Sequence, residues 1–142
     1  GMAAALTEAV ATQASEASRL SALRDTIEAR ILAVAPDAFV FGRDAPRLPN
    51  TTLVAVPGLK AEMLLMAFDL AGAALSSGSA CSSGKVVRSH VLDAMGIAPD
   101  MAEGALRISL GWTTTSDDVA LFADMAHTTL KNLLQRKHQR AA

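Results

Sequence analysis

From Leu6 to about Val34, apolar side chains recur every three or four residues, at Leu6, Val10, Ala17, Leu20, Leu23, Ile27 and Ile31. That spacing predicts one long helix. Its first half is almost wholly Ala, Thr, Ser, Glu and Gln, which favour helix but leave it little to bury. A helix of this kind does not stabilise itself, so the rest of the chain must offer it a surface. Pro36 and Asp37 stop it.

Short elements follow. Phe39–Phe41 is a strand candidate, and 42–49 is a polar loop with two prolines. Thr51–Val56 is rich in β-branched residues and bounded by Asn50 and Pro57-Gly58, a strand signal. Lys60–Ala71 predicts a helix with Met63, Leu64, Ala67, Phe68 and Leu70 inward, closed by Gly72 as C-terminal cap. The Met63–Met66 pair sits at core spacing. Ala73–Leu75 predicts a brief buried strand, and Ser89–Met95 a two-turn helix ended by Gly96. Leu106–Leu110 alternates, with Leu106, Ile108 and Leu110 on one face and Arg107 and Ser109 on the other. Thr115 and Asp118 stand in capping-box relation before a last helix, Ser116 to about Arg136. Its inward set is Val119, Leu121, Phe122, Met125, Leu130 and Leu133. The sum is an α/β (α+β sandwich) fold, a three- to four-stranded sheet with helices mainly on one face. Residues 1–35 read as a connecting helix and 36–142 as a small domain, one structural domain in all.

Composition excludes several classes of function. Thirteen Lys+Arg against fourteen Asp+Glu leave a charge of −1, so neither nucleic acid nor an anionic membrane is an expected partner. Hydrophobic residues at 51% and charged residues at 19% exclude a disordered chain. The most apolar stretch, Met63–Leu75, contains Asp69 and falls short of the ~20 residues a spanning helix needs. The start of the chain has no basic segment, so no secretory signal is expected. One cysteine forbids an internal disulfide, and a reduced cytoplasmic protein is the expectation.

Two features could carry chemistry. Ser76–Gly84 (SSGSACSSG) holds the only cysteine, Cys81, among five serines and two glycines, a composition expected to be exposed and poorly ordered. A cysteine is usually buried, so this placement suits either an incidental thiol or a nucleophile on an arm. Lys85 and Arg88 lie close behind and favour a thiolate. Arg107 is either a plain surface arginine or a fork for a carboxylate. His90, His127 and His138 have no metal-ligand spacing, and no metal is expected. His90 is a weak candidate partner for the Cys81 thiol.

The runs RLPNTTLVAVPGLKAEMLL, SSGSACSSG, SHVLDAMG and ALRISLGWTTTSDDV resemble, in order and in register from Arg47 to Leu134, the C-terminal small domain of NifS/IscS-type cysteine desulfurases. These are pyridoxal-phosphate enzymes similar to class V aminotransferases. The resemblance implies the small-domain fold of such enzymes, a homodimer, and service in sulfur delivery, whether to iron–sulfur cluster assembly or to thiolated cofactors. It implies that Cys81 takes sulfur from L-cysteine as a persulfide, leaving alanine, and later passes it to an acceptor protein. Arg107 matches the arginine that binds the substrate carboxylate, and Asn50, Ser79 and His90 are possible accessory residues. The family's Schiff-base lysine setting is absent around Lys60, Lys85, Lys131 and Lys137, and no histidine suits stacking on the cofactor ring. The segment by itself is therefore expected to bind no pyridoxal phosphate and to be inactive. A free-standing sulfur carrier or interaction module, or part of a selenocysteine lyase, is the alternative.

Overall fold

The structure, a computed structural model, describes residues 1–78 and 89–141, with side chains to Gln139. In chain order its elements are α1 (Met2–Val34), β1 (Phe39–Val40), β2 (Thr51–Ala55), α2 (Ala61–Leu70), β3 (Ser76–Ser77), α3 (His90–Ala94), α4 (Pro99–Glu103), β4 (Leu106–Ser109) and α5 (Ser116–Ala141). The expectation of poor order across Ser77–Lys85 lies, beyond Gly78, outside the described residues.

The four strands form one antiparallel sheet in the order β1-β2-β4-β3. Alternation decides its faces. Val40, Val54, Leu106 and Ile108 point to one side, where Ile27 and Ile31 of α1, Leu64 and Phe68 of α2, and Val119, Ala126 and Leu130 of α5 close over them. Phe68 and Phe122 stack there with ring centroids 5.7 Å apart. Burying each large side chain of this set contributes about 1.5–3 kcal/mol. The opposite face is covered more thinly. Leu92 of α3 meets Phe41, Ala55 and Ala105, with Ile97 and Met101 beside them. The expected sandwich is thus present, with three long helices on one face and two short ones on the other.

Local signals account for most boundaries. Gly72, at φ +94°, closes α2: its N–H donates to Asp69 O, and the Ala73 N–H donates to Phe68 O at 2.8 Å. This cap draws Ala73 out of any ladder, which is why the third strand is Ser76–Ser77 and not the expected Ala73–Leu75. Ala71 and Gly72 are exposed, and Ala73 is buried by the cap. At the head of α5 the Thr115 N–H and Oγ1–H both donate to Asp118 Oδ2, and the Asp118 N–H donates to Thr115 Oγ1. The expected box is formed, with Asp in the usual Glu position. Thr115→Ala is expected to cost about 1 kcal/mol in a urea melt, the ordinary value of a lost N-cap.

Four expectations fail on burial. Leu70 is 90% exposed and Met66 64%, Met63 lies at the surface, and Leu121 on α5 is 63% exposed. The buried stripe of α2 is Ala61, Leu64 and Phe68, whose 3–4 spacing leaves the methionines on its flank. α4 was not expected at all. Ala98-Pro99-Asp100 carries its start signal, a proline at the first helical position. α1 begins at Met2 and not at Leu6, and α5 continues to Ala141. Leu6 and Val10 are exposed, as the poor apolar content of that half of α1 implied.

Candidate functional site

Arg107 stands in the middle of β4, and the burial of that strand alternates as expected, with Leu106 and Ile108 inward and Arg107 exposed. The register sets Leu53 of β2 on one side of Arg107 and Ser76 of β3 on the other. Directly opposed residues share a face, so the guanidinium rises from a patch made by Leu53, Ser76 and its own strand. Among the described residues it has no hydrogen bond or ion pair. A free guanidinium on a rigid strand is suited to a planar, two-oxygen anion.

β3 reaches this patch and leads out of it. The Gly78 N–H donates to Ala105 O at 2.7 Å, which prolongs the β3–β4 pairing by one step. Cys81 follows three residues later in sequence. Cys81 and Ser79, with Lys85 and Arg88, lie outside the described residues.

The remaining accessory candidates separate. Asn50 is occupied with the sheet: its Nδ2–H donates to Leu110 O at 3.2 Å, while its own carbonyl accepts from the Leu110 N–H at 2.8 Å. Its amide closes the end of the β2–β4 ladder. His90 is exposed at the start of α3, capped by Ser89, whose Oγ accepts from the Leu92 N–H. No group of three or more His, Cys, Asp or Glu that could hold a metal occurs among the described residues.

The strongest electrostatic cluster lies elsewhere, and it was not recognised from the sequence. Glu28 on α1 is 4% exposed, and Arg47, from the β1–β2 loop, grips it with a two-bond fork at 2.6 and 3.0 Å. Arg24, 8% exposed and one helical turn away, lies 3.8 Å from the same carboxylate and donates to Leu48 O, Ser21 Oγ and Asp25 Oδ1. Burial pushes the Glu28 carboxyl up, but the hydrogen bonds from Arg47, with the charges of Arg47 and Arg24, outweigh it. The net pKa is lowered. The cleft here, about 740 Å³, is lined by Arg24, Asp25, Glu28, Arg43 and Arg47 among others. Its buried charges satisfy one another, so it reads as a clamp joining α1 to the β1–β2 loop. The signal was available: Arg24 and Glu28 fall on the inward stripe of Leu20, Ile27 and Ile31.

A second clamp holds the turn after β4. Arg19, paired with Glu16 at 2.8 Å, donates to Thr114 O and Trp112 O, while the Gly111 N–H donates to Thr114 Oγ1. Trp112 is left 83% exposed on that turn.

The aminotransferase class-V family model matches residues 1–122. The chain belongs to the aminotransferase class-V family. Its similar relatives within that family are cysteine desulfurases. "Cysteine desulfurase NifS" of Azotobacter vinelandii is 42% identical over 119 residues, covering 84% of this chain and 30% of the relative. "Cysteine desulfurase IscS" of Dictyoglomus turgidum is 32% identical over 133 residues, covering 94% of this chain and 34% of the relative. The solved structure of a NifS-like protein from Rickettsia africae superposes with a TM-score of 0.67 at 31% identity, over 80% of this chain and 28% of that one. The chain thus spans about a third of the length of the curated relatives it matches.

Class V cysteine desulfurases use pyridoxal phosphate, which needs a lysine for its aldehyde. The described lysines do not fit that need. Lys60 is 72% exposed at its side chain and pairs with Glu103, Lys131 is exposed, and Lys137 donates to Pro57 O. No lysine lines the cleft at Arg24, Glu28 and Arg47 or the one beside it at Leu32, Phe39 and Arg43. No helix among the described residues is long and apolar enough to cross a membrane.

Proposed function

We propose that this chain is the small C-terminal part of a cysteine desulfurase, with α1 as its connection to the remainder. Cys81 is the sulfur acceptor and Arg107 the anchor for the carboxylate of L-cysteine. The pyridoxal phosphate site belongs, on this reading, to the part of the relatives' length that this chain does not span. One observation carries the proposal. Arg107, exposed and unpaired among the described residues, is in register with Ser76 of the strand that runs into Cys81.

The division of labour follows from the two side chains. A fixed guanidinium holds the substrate by its carboxylate and so sets the position of the thiol three bonds away. The Cys81 thiolate attacks that sulfur: an S–S bond forms as the substrate C–S bond breaks, the C–S electron pair stays with the substrate carbon, where the cofactor would stabilise it, and a proton taken up there gives alanine. The persulfide is then open to attack by a thiol of an acceptor protein. Such chemistry needs a free thiol, which suits a reducing compartment such as the cytoplasm.

The polypeptide that unites this chain with a cofactor-bearing domain is the proper test. Incubated with L-cysteine, it should release alanine and gain the mass of one sulfur atom on the peptide containing Cys81. Alanine release with an unmodified Cys81 would overturn the assignment. Capture of sulfur by Cys81 from a small-molecule persulfide, with no alanine formed by the uniting polypeptide, would favour a sulfur-carrier module.

Two further results are expected of the 142-residue chain itself. Mixed with pyridoxal phosphate, it should give no absorbance band of a lysine adduct, because Lys60, Lys131 and Lys137 stand exposed at the surface. It should also self-associate, in keeping with a homodimeric parent. Met2, Leu6 and Val10 are 63% or more exposed along a part of α1 that buries little. A sedimentation profile of a single monomer at high concentration would contradict that.

A further inference from the structure

The two flanks of Arg107 differ. On one side its direct partner in the sheet is Leu53. A Cβ placed on Gly78 would come within 3.3 Å of Leu53 Cδ1, so that side chain extends over β4 at Ala105 and walls its flank of the Arg107 stem with carbon. On the other side the direct partner is Ser76, exposed and with the smallest side chain that carries a hydroxyl. Directly opposed residues share a face, with Cβ atoms about 4.5–5.5 Å apart. Ser109 faces the same way, but it stands two residues along β4, about 7 Å off. Among the described residues neither serine hydroxyl has a hydrogen-bond partner.

A guanidinium offers a carboxylate two kinds of fork: end-on, from both terminal nitrogens, or side-on, from Nε–H and one terminal N–H. A carboxylate taken side-on lies beside the stem, above whichever residue flanks it. Leu53 occupies that place on one flank. Above Ser76 the place is open, and a hydroxyl rising from a directly opposed residue comes within the reach of an O–H···O bond, about 2.5–3.0 Å. Each carboxylate oxygen keeps a free lone pair after the fork has formed.

We propose that Ser76 is a second binding residue for the substrate carboxylate, its hydroxyl donating to an oxygen that Arg107 holds side-on. The inference rests on the desulfurase reading and deepens it. A third bond, from a neighbouring strand, fixes the plane of the carboxylate as well as its place.

The test is made in the polypeptide that unites this chain with a cofactor-bearing domain. Two probes are titrated, L-alanine and ethylamine, which is alanine without the carboxylate, and their binding is read from the cofactor spectrum. Ser76→Ala should weaken L-alanine about three- to tenfold, the loss that one hydrogen bond supports, and leave ethylamine at its parent affinity. KM for L-cysteine should rise by the same factor with kcat within about twofold of the parent, because the bond is made equally in the ground and transition states. Ser76→Thr keeps the hydroxyl and suits a strand, so it should bind L-alanine as the parent does, and so should Ser109→Ala. Parent affinity for L-alanine in Ser76→Ala, an equal loss for ethylamine, an equal loss in Ser109→Ala, or a Ser76→Thr variant as weak as Ser76→Ala overturns the role of Ser76 and leaves that of Arg107 intact. An affinity for L-alanine that Arg107→Lys does not change overturns the Arg107 reading itself, and the role of Ser76 with it.

Discussion

Arg107→Lys, in the polypeptide that unites this chain with a cofactor-bearing domain, is expected to lower catalytic efficiency on L-cysteine by roughly 30- to 150-fold. Lysine keeps the charge but not the two parallel donors, and its longer, freer stem does not hold a carboxylate in one plane. Losing one charge-assisted bond at a partly desolvated site costs about 2–3 kcal/mol. Cys81→Ser should fail differently. Substrate binding, read by the cofactor spectrum, should survive, while sulfur transfer stops, because a serine hydroxyl at neutral pH is a feeble nucleophile toward sulfur. Steady-state kinetics and the cofactor spectrum separate the two failures. If Arg107→Lys stays within about twofold of the parent, Arg107 is an ordinary surface arginine.

Glu28→Ala is expected to lower the melting temperature by on the order of 10 °C. The substitution leaves Arg47 and the buried Arg24 facing an empty site, and breaking a buried pair from one side costs about 3–5 kcal/mol. A domain of this size loses a few degrees for each kcal/mol. The damage should be larger than for any rim pair such as Lys60–Glu103, which is exposed on both sides. The same carboxylate gives a pH signature. Its pKa is lowered from an ordinary value near 4.5 in the folded state, so its contribution is fully present above that value. It is lost as pH falls through the depressed folded pKa. Thermal melts from pH 7 down to pH 3 should therefore show an acid-side loss of stability that is reduced in Glu28→Gln. Equal acid sensitivity in parent and variant would assign that loss to other carboxylates.

These two residues differ in how they could be read from sequence. Arg107 was legible because a strand shows its faces locally: Leu106, Ile108 and Leu110 announce the buried side, and the residue between them must point away. Glu28 was passed over because a charged residue on a helix is usually solvated, and its partner Arg47 lies nineteen residues away in a loop with no regular pattern. Trp112 gives no local signal for a similar reason: its exposed position depends on the contact of Arg19 with the turn carbonyls and on the Gly111–Thr114 bonds of the turn.

The sequence by itself determined the kinds of element, most of their ends, and the family. Periodicity separates helix from strand, Gly72 and the Thr115–Asp118 pair mark termini through bonds made within a few residues, and the ordered runs around Cys81 and Arg107 carry the likeness to desulfurases. It also placed Arg107 on the open face of its strand. It did not determine that Ala73 would be drawn into a helix cap and so delay β3 to Ser76, that α4 would form, or that Met66 and Leu70 would face solvent. Nor did it show that Gly78 bonds to Ala105, or that Ser76 stands beside Arg107. Those outcomes depend on contacts between residues tens of positions apart. Each is decided by which arrangement of the whole chain buries the most apolar surface while keeping every backbone group bonded, a comparison that no local window of residues contains.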